Sequence, residues 1–406
     1  ESPTELAECY SYKAYSYFFC RNFKESINAL RTCLSFYDVP NIPEIGKLSN
    51  MEIDSVNTGE YPVTTRKDSS IVSNAYLTSA TIFSTQGKHK LALKIRKISE
   101  SLINYSSDDD SVFNLIISEI VQKFQIGLHD SVIQDITEAL NAIKDNEFSD
   151  IHVLLNYLLA ASYSEIGKLD STYYHTDKII QHYREKKRNY YDQYYIGAWS
   201  IKTKTLALER KFNEVLYYTN IIENEVDFRN APYQDIIASI YNNKGLAHLE
   251  RKEYDKAIVE LLKSNSILTE MNKSGTPKTS LNMIVNANLA MAYENITEFE
   301  KARIYIYKAF SEGKTLYKEI GYEHYLFYMI VDYMYQLEIK SNLFKEAMDT
   351  AILCHNVLDR EKETYWNRIE ECYKLAKSSK QYKKSKEYKE LVKKYNEFTK
   401  NNPINR

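Results

Sequence analysis

Residues 241–264, YNNKGLAHLERKEYDKAIVELLKS, decide the fold. Tyr241, Gly245 and His248 recur at helical spacing, and a polar turn from Glu250 to Glu253 follows. A second amphipathic run then carries Tyr254, Ala257, Leu261 and Ser264. The small residues Gly245 and Ala257 fall where two antiparallel helices approach most closely, so the stretch predicts a helical hairpin.

The same pattern can be laid along almost the whole chain. Aligned on the small residue of the first helix, the copies read Ala14, Ala80, Ile120, Ala160, Thr203, Gly245, Ala290, Tyr335 and Tyr373. Twelve residues further on, the second helix offers Ser26, Ala92, Val132, Thr172, Val215, Ala257, Ala302, Ala347 and Ser385. Before each second helix stands an aromatic or apolar anchor: Phe23, His89, His129, Leu169, Phe212, Tyr254, Phe299, Phe344 and Tyr382. Ile120 and Tyr335 are large for their position, and Arg96 and Lys389 are polar where an apolar residue is usual. Nine hairpins in one register predict an all-α superhelix, a solenoid in which each helix buries its apolar face against its neighbours.

The repeat is long. From Ile120 to Ala160 is 40 residues, from Thr203 to Gly245 is 42 and from Gly245 to Ala290 is 45. Extended helices, one of them over residues 182–195, and loops such as NKSGTPKT at 272–279 are expected to absorb the excess. The widest gap, 66 residues from Ala14 to Ala80, holds Pro40, Pro43, Gly46, Gly59 and Pro62. We divide the chain into a first hairpin (1–38), an insertion (39–70), a central solenoid (71–365) and a degenerate last hairpin with a polar capping helix (366–406). The insertion reads as a segment packed on one face, with a short helix near residues 42–51; a further degenerate hairpin is the alternative. The Lys-rich stretch 380–400 has a thin apolar stripe and suits a solenoid end.

Composition agrees with an array: 10 Gly and 7 Pro in 406 residues, and no alternating strand-like segments. The 36 tyrosines make much of the core amphipathic. A net charge of −2 gives no global electrostatic case for nucleic acid or an anionic membrane. The cysteines (Cys9, Cys20, Cys33, Cys354, Cys372) are odd in number and lack C-x-x-C spacing, which argues against a disulfide framework or a zinc site. One Cys9–Cys33 bond across the first hairpin remains open. No run of eighteen apolar residues exists, and the greasy stretch 325–331 reads as a core helix, so membrane insertion is not expected. The chain opens at Glu1 without methionine, which implies a removed leader or a trimmed chain.

Catalytic signatures are missing: no G-x-G-x-x-G, P-loop, H-E-x-x-H or nucleophile elbow occurs, and no cofactor is implied. His175 and His182 could share a helix face but read as surface imidazoles with no third ligand. The adjacent Cys354 and His355 diverge on a helix, and Glu370–Glu371 and Asp108–Asp110 read as solvated charge. Arg184, Lys186, Lys187 and Arg188, followed by Tyr190, Tyr191, Tyr194 and Tyr195, could bind a single strand by phosphate contact and stacking. That tyrosine spacing suits packing between repeats better, with the basic residues in an exposed turn.

The hairpin register resembles the tetratricopeptide repeat (TPR), whose usual period is about 34 residues, over roughly residues 5–400. The segments EIGKLDSTYYHTDKII (165–180) and ENITEFEKARIYIYKAF (294–310) are similar to the long-period arrays of bacterial sensor-regulators. That resemblance implies a non-enzymatic module that binds protein or peptide, the sensory or scaffolding part of a regulatory or envelope system. It sets a periplasmic or envelope location ahead of a cytoplasmic one. A cytoplasmic peptide receptor of the Rap type is the alternative, although neither an N-terminal helix-turn-helix nor a Rap catalytic motif can be traced. A structural adaptor working through its convex face is another reading, and an enzyme or RNA binder stands last. Oligomeric state has no signature here.

In a TPR superhelix the first helices line the groove, beside the small position. This marks Asn242 and Asn243, Asn288, Met291, Asp332, Tyr333 and Lys204 as the expected ligand-groove residues. Asn243 and Asn288 stand at equivalent positions and are expected to stack along the groove, where an amide can meet a peptide backbone as donor and acceptor. Met291 and Tyr333 would add apolar contact, and Lys204 or Asp332 could hold a terminus or charge.

Overall fold

The computed structural model describes residues 2–19, 23–37, 39, 42, 66–85, 89–102, 116–117, 119–121, 123–124, 127–142, 149–229, 231, 233–274, 279–316, 325–357 and 362–402. Among these residues the regular structure is entirely helical. They fall into two compact units, Glu1–Thr205 and Leu206–Arg406, the boundary lying within α8.

The first unit holds α1 (Pro3–Phe19), α2 (Phe23–Leu34), α3 (Arg66–Thr85), α4 (His89–Leu102), α5 (His129–Ala142), α6 (Asp150–Glu165), α7 (Leu169–Glu185) and most of α8 (Gln193–Leu208). The second holds α9 (Phe212–Glu225), α10 (Gln234–Glu250), α11 (Tyr254–Lys273), α12 (Ser280–Asn295), α13 (Phe299–Leu316), α14 (Tyr325–Lys340), α15 (Phe344–Val357), α16 (Lys362–Ser378) and α17 (Lys386–Asn401), with a 3₁₀ turn at Tyr382–Lys384. The described positions between 116 and 124 are helical and precede α5 as its hairpin partner.

The small-residue register governs how each hairpin closes. Ala14, Ala80, Ile120, Ala160, Thr203, Ala290 and Tyr335 are buried, as are Ser26, Ala92, Val132, Thr172, Val215, Ala257, Ala302 and Ala347 of the second helices. In three hairpins serine side chains tie the two helices together. Ser26 Oγ donates to the Ala14 carbonyl at 2.8 Å and Ser264 Oγ to the Ala238 carbonyl at 2.7 Å. The Ser73 and Ser99 hydroxyls meet at 2.6 Å, and Ser99 also reaches the Ser73 carbonyl. Satisfied hydroxyls let the backbones approach without burying an unpaired polar atom.

A second regularity lies seven residues after the small position. Gly127, Gly167, Arg210, Lys252, Thr297 and Asn342 all have positive φ, between 57° and 80°. Each closes its helix by the double bond pattern of a Schellman turn. At Lys252, for instance, its own N–H reaches the Leu249 carbonyl at 2.9 Å and the next N–H, of Glu253, reaches the His248 carbonyl at 2.9 Å. Two residues after each of these six positions the second helix begins, at the aromatic or apolar anchor read from the sequence. The anchors are thus first-turn residues fixed by the turn geometry.

Four expectations are corrected. In the last hairpin the closed position is Cys372, fully buried, and not Tyr373, which is half-buried and stacks on Tyr395 at 4.1 Å. Ser385 is there a helix N-cap, its Oγ accepting the Tyr388 N–H, and no contact residue of the second helix. Residues 182–195 do not form one helix: α7 ends at Glu185, Lys187 adopts φ 48°, and the Arg188 N–H closes onto the Tyr183 carbonyl before α8 begins. Finally, the bond left open between Cys9 and Cys33 is not formed: Cys9 is exposed and Cys33 buried, both as free thiols. Burial pushes the thiols of Cys33, Cys354 and Cys372 up to about 12.

Of the insertion, residues 40–41 and 43–65 lie outside the described residues, and with them the short helix expected near 42–51. Ile42 is buried in the core of the first hairpins, its carbonyl held by Arg31 at 2.8 Å, and α3 already starts at Arg66. Cys20, Asp108–Asp110, Gly275 and Pro277 also lie outside the described residues. α11 continues to Lys273, two residues into the expected loop.

Candidate ligand groove

In the second unit the first helices of successive hairpins, α10, α12, α14 and α16, touch one another side by side through polar side chains. The Asn288 amide donates to Asn242 Oδ1 at 3.0 Å, joining α12 to α10. Tyr333 donates its hydroxyl to Glu294 at 2.5 Å and Lys340 binds the other oxygen of the same carboxylate at 2.6 Å, joining α14 to α12. Arg368 pairs with Asp332, joining α16 to α14, and its guanidinium lies over the rings of Tyr335 and Tyr365. Burial, reinforced by the Glu294 acceptor, pushes the Tyr333 hydroxyl far above the usual phenol range, so it stays a donor.

Each expected groove residue now has a place. Asn242 and Asn288 are buried and bonded to each other, and Asn243 is buried beside them. The cross-repeat bond therefore pairs Asn288 with Asn242, one residue away from the stacking partner expected from equivalent spacing. Met291 is half-buried against the core, and Tyr333 and Asp332 are half-buried and engaged as described. Lys204 lies in the first unit, where it pairs with Glu165 at 2.6 Å across α8 and α6. That is the same kind of link between neighbouring first helices.

Two apolar residues of this layer were missed from sequence. Ile284 and Met329 stand six residues before Ala290 and Tyr335, so they are equivalent positions of α12 and α14. Ile284 is half-buried, while Met329 is 62% exposed although its helix is the most apolar stretch of the chain. One turn further along sit Asn288 and Tyr333, and Met291 and Leu246 carry the apolar surface on. An exposed methionine in an otherwise buried helix was the available signal, hidden because 325–331 reads as uniform core. The layer offers an adaptable apolar surface beside polar groups whose charges are already neutralised.

His175 and His182 lie in the first unit, outside this layer. Contrary to the expected surface imidazoles, His182 is buried and bonds Arg188 at 3.1 Å, while His175 is half-buried and bonds Asn156 at 2.8 Å. The packing of α6 against α7 covers both. Among the described residues no group of three or more His, Cys, Asp or Glu could hold a metal ion. No helix of these residues is long and apolar enough to cross a membrane. The tyrosines after the basic run serve packing: Tyr190 stacks on buried Tyr195 at 4.8 Å and Tyr194 meets Tyr157 edge-on at 5.4 Å. Lys186 and Lys187 are exposed, and Arg188 is tied to Asp150 at 2.5 Å.

Fold and register define an all-α helical-repeat protein of the TPR-like class. Neither a protein-family model nor a curated protein matches the sequence. Solved structures do match: that of a Rap protein complexed with competence and sporulation factor has a TM-score of 0.53 at 11% identity, covering 98% of this chain and 99% of that chain. The apo form of RapI is also similar, with a TM-score of 0.47 at 12% identity, covering 98% of this chain and 99% of that one.

Proposed function

We propose that this chain is a non-enzymatic receptor that holds a short peptide against the first-helix layer of its second unit. The observation that carries the reading is the combination of exposed Met329 with Ile284, Met291 and Leu246 beside a ladder of internally paired polar groups. A ligand that meets this surface gains apolar burial there and meets few charges in need of a counter-ion. The structure of a Rap protein complexed with competence and sporulation factor supports the reading, since a protein of this fold has been captured with such a factor. Buried thiols, and acidic groups tied into inter-helix links, support a role without chemistry.

Panning a random peptide library against the full chain, followed by calorimetry on the selected peptides, tests the proposal. Met329→Asp is expected to weaken binding at least tenfold while the helical signal and melting temperature stay close to wild type. Selected peptides that bind Met329→Asp and Ile284→Asp as tightly as wild type would remove the site from this layer.

A second reading rests on a different observation. Tyr217, Val259 and Ile304 stand at one position of three successive second helices, two residues after the small position, and all are more than half exposed. An adaptor that binds a partner through its second-helix face would use this row. Substituting the three by Ser and leaving peptide binding intact, while losing a co-purifying partner, would favour it.

A further inference from the structure

Glu338, on α14, is 1% exposed, yet among the described residues no cation bonds it. Its carboxyl is wedged between three helices and receives two hydroxyls: Tyr307 of α13 reaches Oε1 at 2.6 Å and Thr350 of α15 reaches Oε2 at 2.9 Å. A hydroxyl can donate or accept, so both partners can bond the carboxyl, but neither supplies the positive charge that would offset burying a carboxylate. A lysine or arginine there would have fixed the ionised form.

The charged groups around it oppose one another. From α13, Arg303 is engaged with Glu300 at 3.2 Å and lies over the Tyr307 ring. From α15, Glu346 adds a second negative charge within electrostatic reach. The thiols of Cys354 on α15 and Cys372 on α16, which also sense Glu338, remain neutral. Burial, the largest cause, raises the Glu338 carboxyl to about 7 against the two hydroxyls and Arg303, which act to lower it.

We infer that Glu338 is a proton-operated lock in the second unit: the protonated carboxyl holds α13, α14 and α15 together, and losing the proton loosens them. The sign follows from linkage. The folded carboxyl binds its proton more tightly than the unfolded one, so its contribution is full below the unfolded value near 4.5 and is lost as pH rises through about 7. α14 also presents Met329 and Tyr333, so a loosened α14 would weaken the proposed groove. That clause alone rests on the peptide reading; the lock itself does not.

Hydrogen exchange read by mass spectrometry on the full chain, corrected for intrinsic rates, tests it. Between pH 5.5 and 8 the opening constant of the α13–α15 segments in wild type is expected to rise about thirtyfold. In Glu338→Gln it should stay level across the same range. A wild type with no rise, or a Glu338→Gln variant with the same rise, would overturn the lock. Infrared difference spectroscopy of wild type covers the case of a variant that fails to fold. A buried protonated-carboxyl band present at pH 5.5 and lost by pH 8 supports the lock, and its absence at pH 5.5 overturns it. Peptide binding is measured separately, so failure of the groove leaves this outcome readable.

Discussion

Gly245 on α10 lies so close to Leu261 on α11 that a β-carbon at 245 would stand 2.6 Å from Leu261 Cγ and 2.8 Å from its Cδ2. The Leu261 backbone nitrogen, at 3.3 Å, leaves no room to retreat along the helix. At the other small positions of the register stand Ala14, Ala80, Ala160, Thr203 and Ala290, so glycine is found only in this hairpin of the register.

Gly245→Ala should therefore destabilise the chain, although alanine is the better helix former. Overpacking of this kind costs about 1–3 kcal/mol, which exceeds the roughly 1 kcal/mol gained from helix propensity. Chemical denaturation of wild type and variant decides the matter. Equal or greater stability in Gly245→Ala would show that Leu261 can move aside.

Thr297 offers the opposite opportunity. It holds φ at 63°, a region in which a β-branched residue is strained, only because the turn between α12 and α13 needs it. Thr297→Gly is expected to stabilise by about 1 kcal/mol, the strain relieved exceeding the added freedom of the unfolded chain. Thermal melting reads it, and a lower melting temperature in the variant would mean that the threonine side chain contributes more than its backbone strain removes.

These two positions also show how far the sequence could be read. The buried small positions Gly245 and Ala257 and the anchors at Tyr254 or Phe299 were legible because side-chain size and helical spacing encode them directly. The turns were half legible: Gly127, Gly167 and Asn342 are the residues a positive φ favours, whereas Arg210, Lys252 and Thr297 occupy the same geometry with no local signal. Tertiary packing holds them there. The last hairpin misled because Cys372 and Tyr373 are adjacent and either could be counted as the closed residue. The pairing of Asn242 with Asn288 depends on how neighbouring first helices face each other, which spacing within one helix does not contain.

Asn288→Ala should cost about 1–3 kcal/mol, since it leaves the buried Asn242 amide oxygen without its donor. Asn242→Ala should cost a similar amount, and the double variant less than the sum. A double-mutant cycle by urea unfolding measures the coupling. Additive effects would mean that each asparagine is satisfied independently, and would return both to the list of groups available to a ligand.

The pH response of the first unit is expected to run against that of Glu338. His175 on α7 is held neutral by burial, with the nearby Lys178 charge as a smaller cause, and its folded value is lowered to about 4. Its ring stacks on Tyr163 at 5.5 Å. Asn156 has committed its amide nitrogen to the His152 carbonyl at 2.7 Å, so its oxygen faces His175 and the imidazole Nδ1 carries the proton. The neutral ring is thus the form that fits. Because the folded value lies below the unfolded one, near 6.5, the stabilisation is present above that pH and is lost as pH falls towards 4. Hydrogen exchange over α6 and α7 should then quicken on acidification, while α13–α15 quieten. His175→Gln, which can still donate to Asn156, should flatten the acid limb in α6 and α7 without altering the limb set by Glu338. An acid limb in α6 and α7 that persists unchanged in His175→Gln would assign it to another group, with His182, whose value burial and Arg188 also lower, the next to substitute.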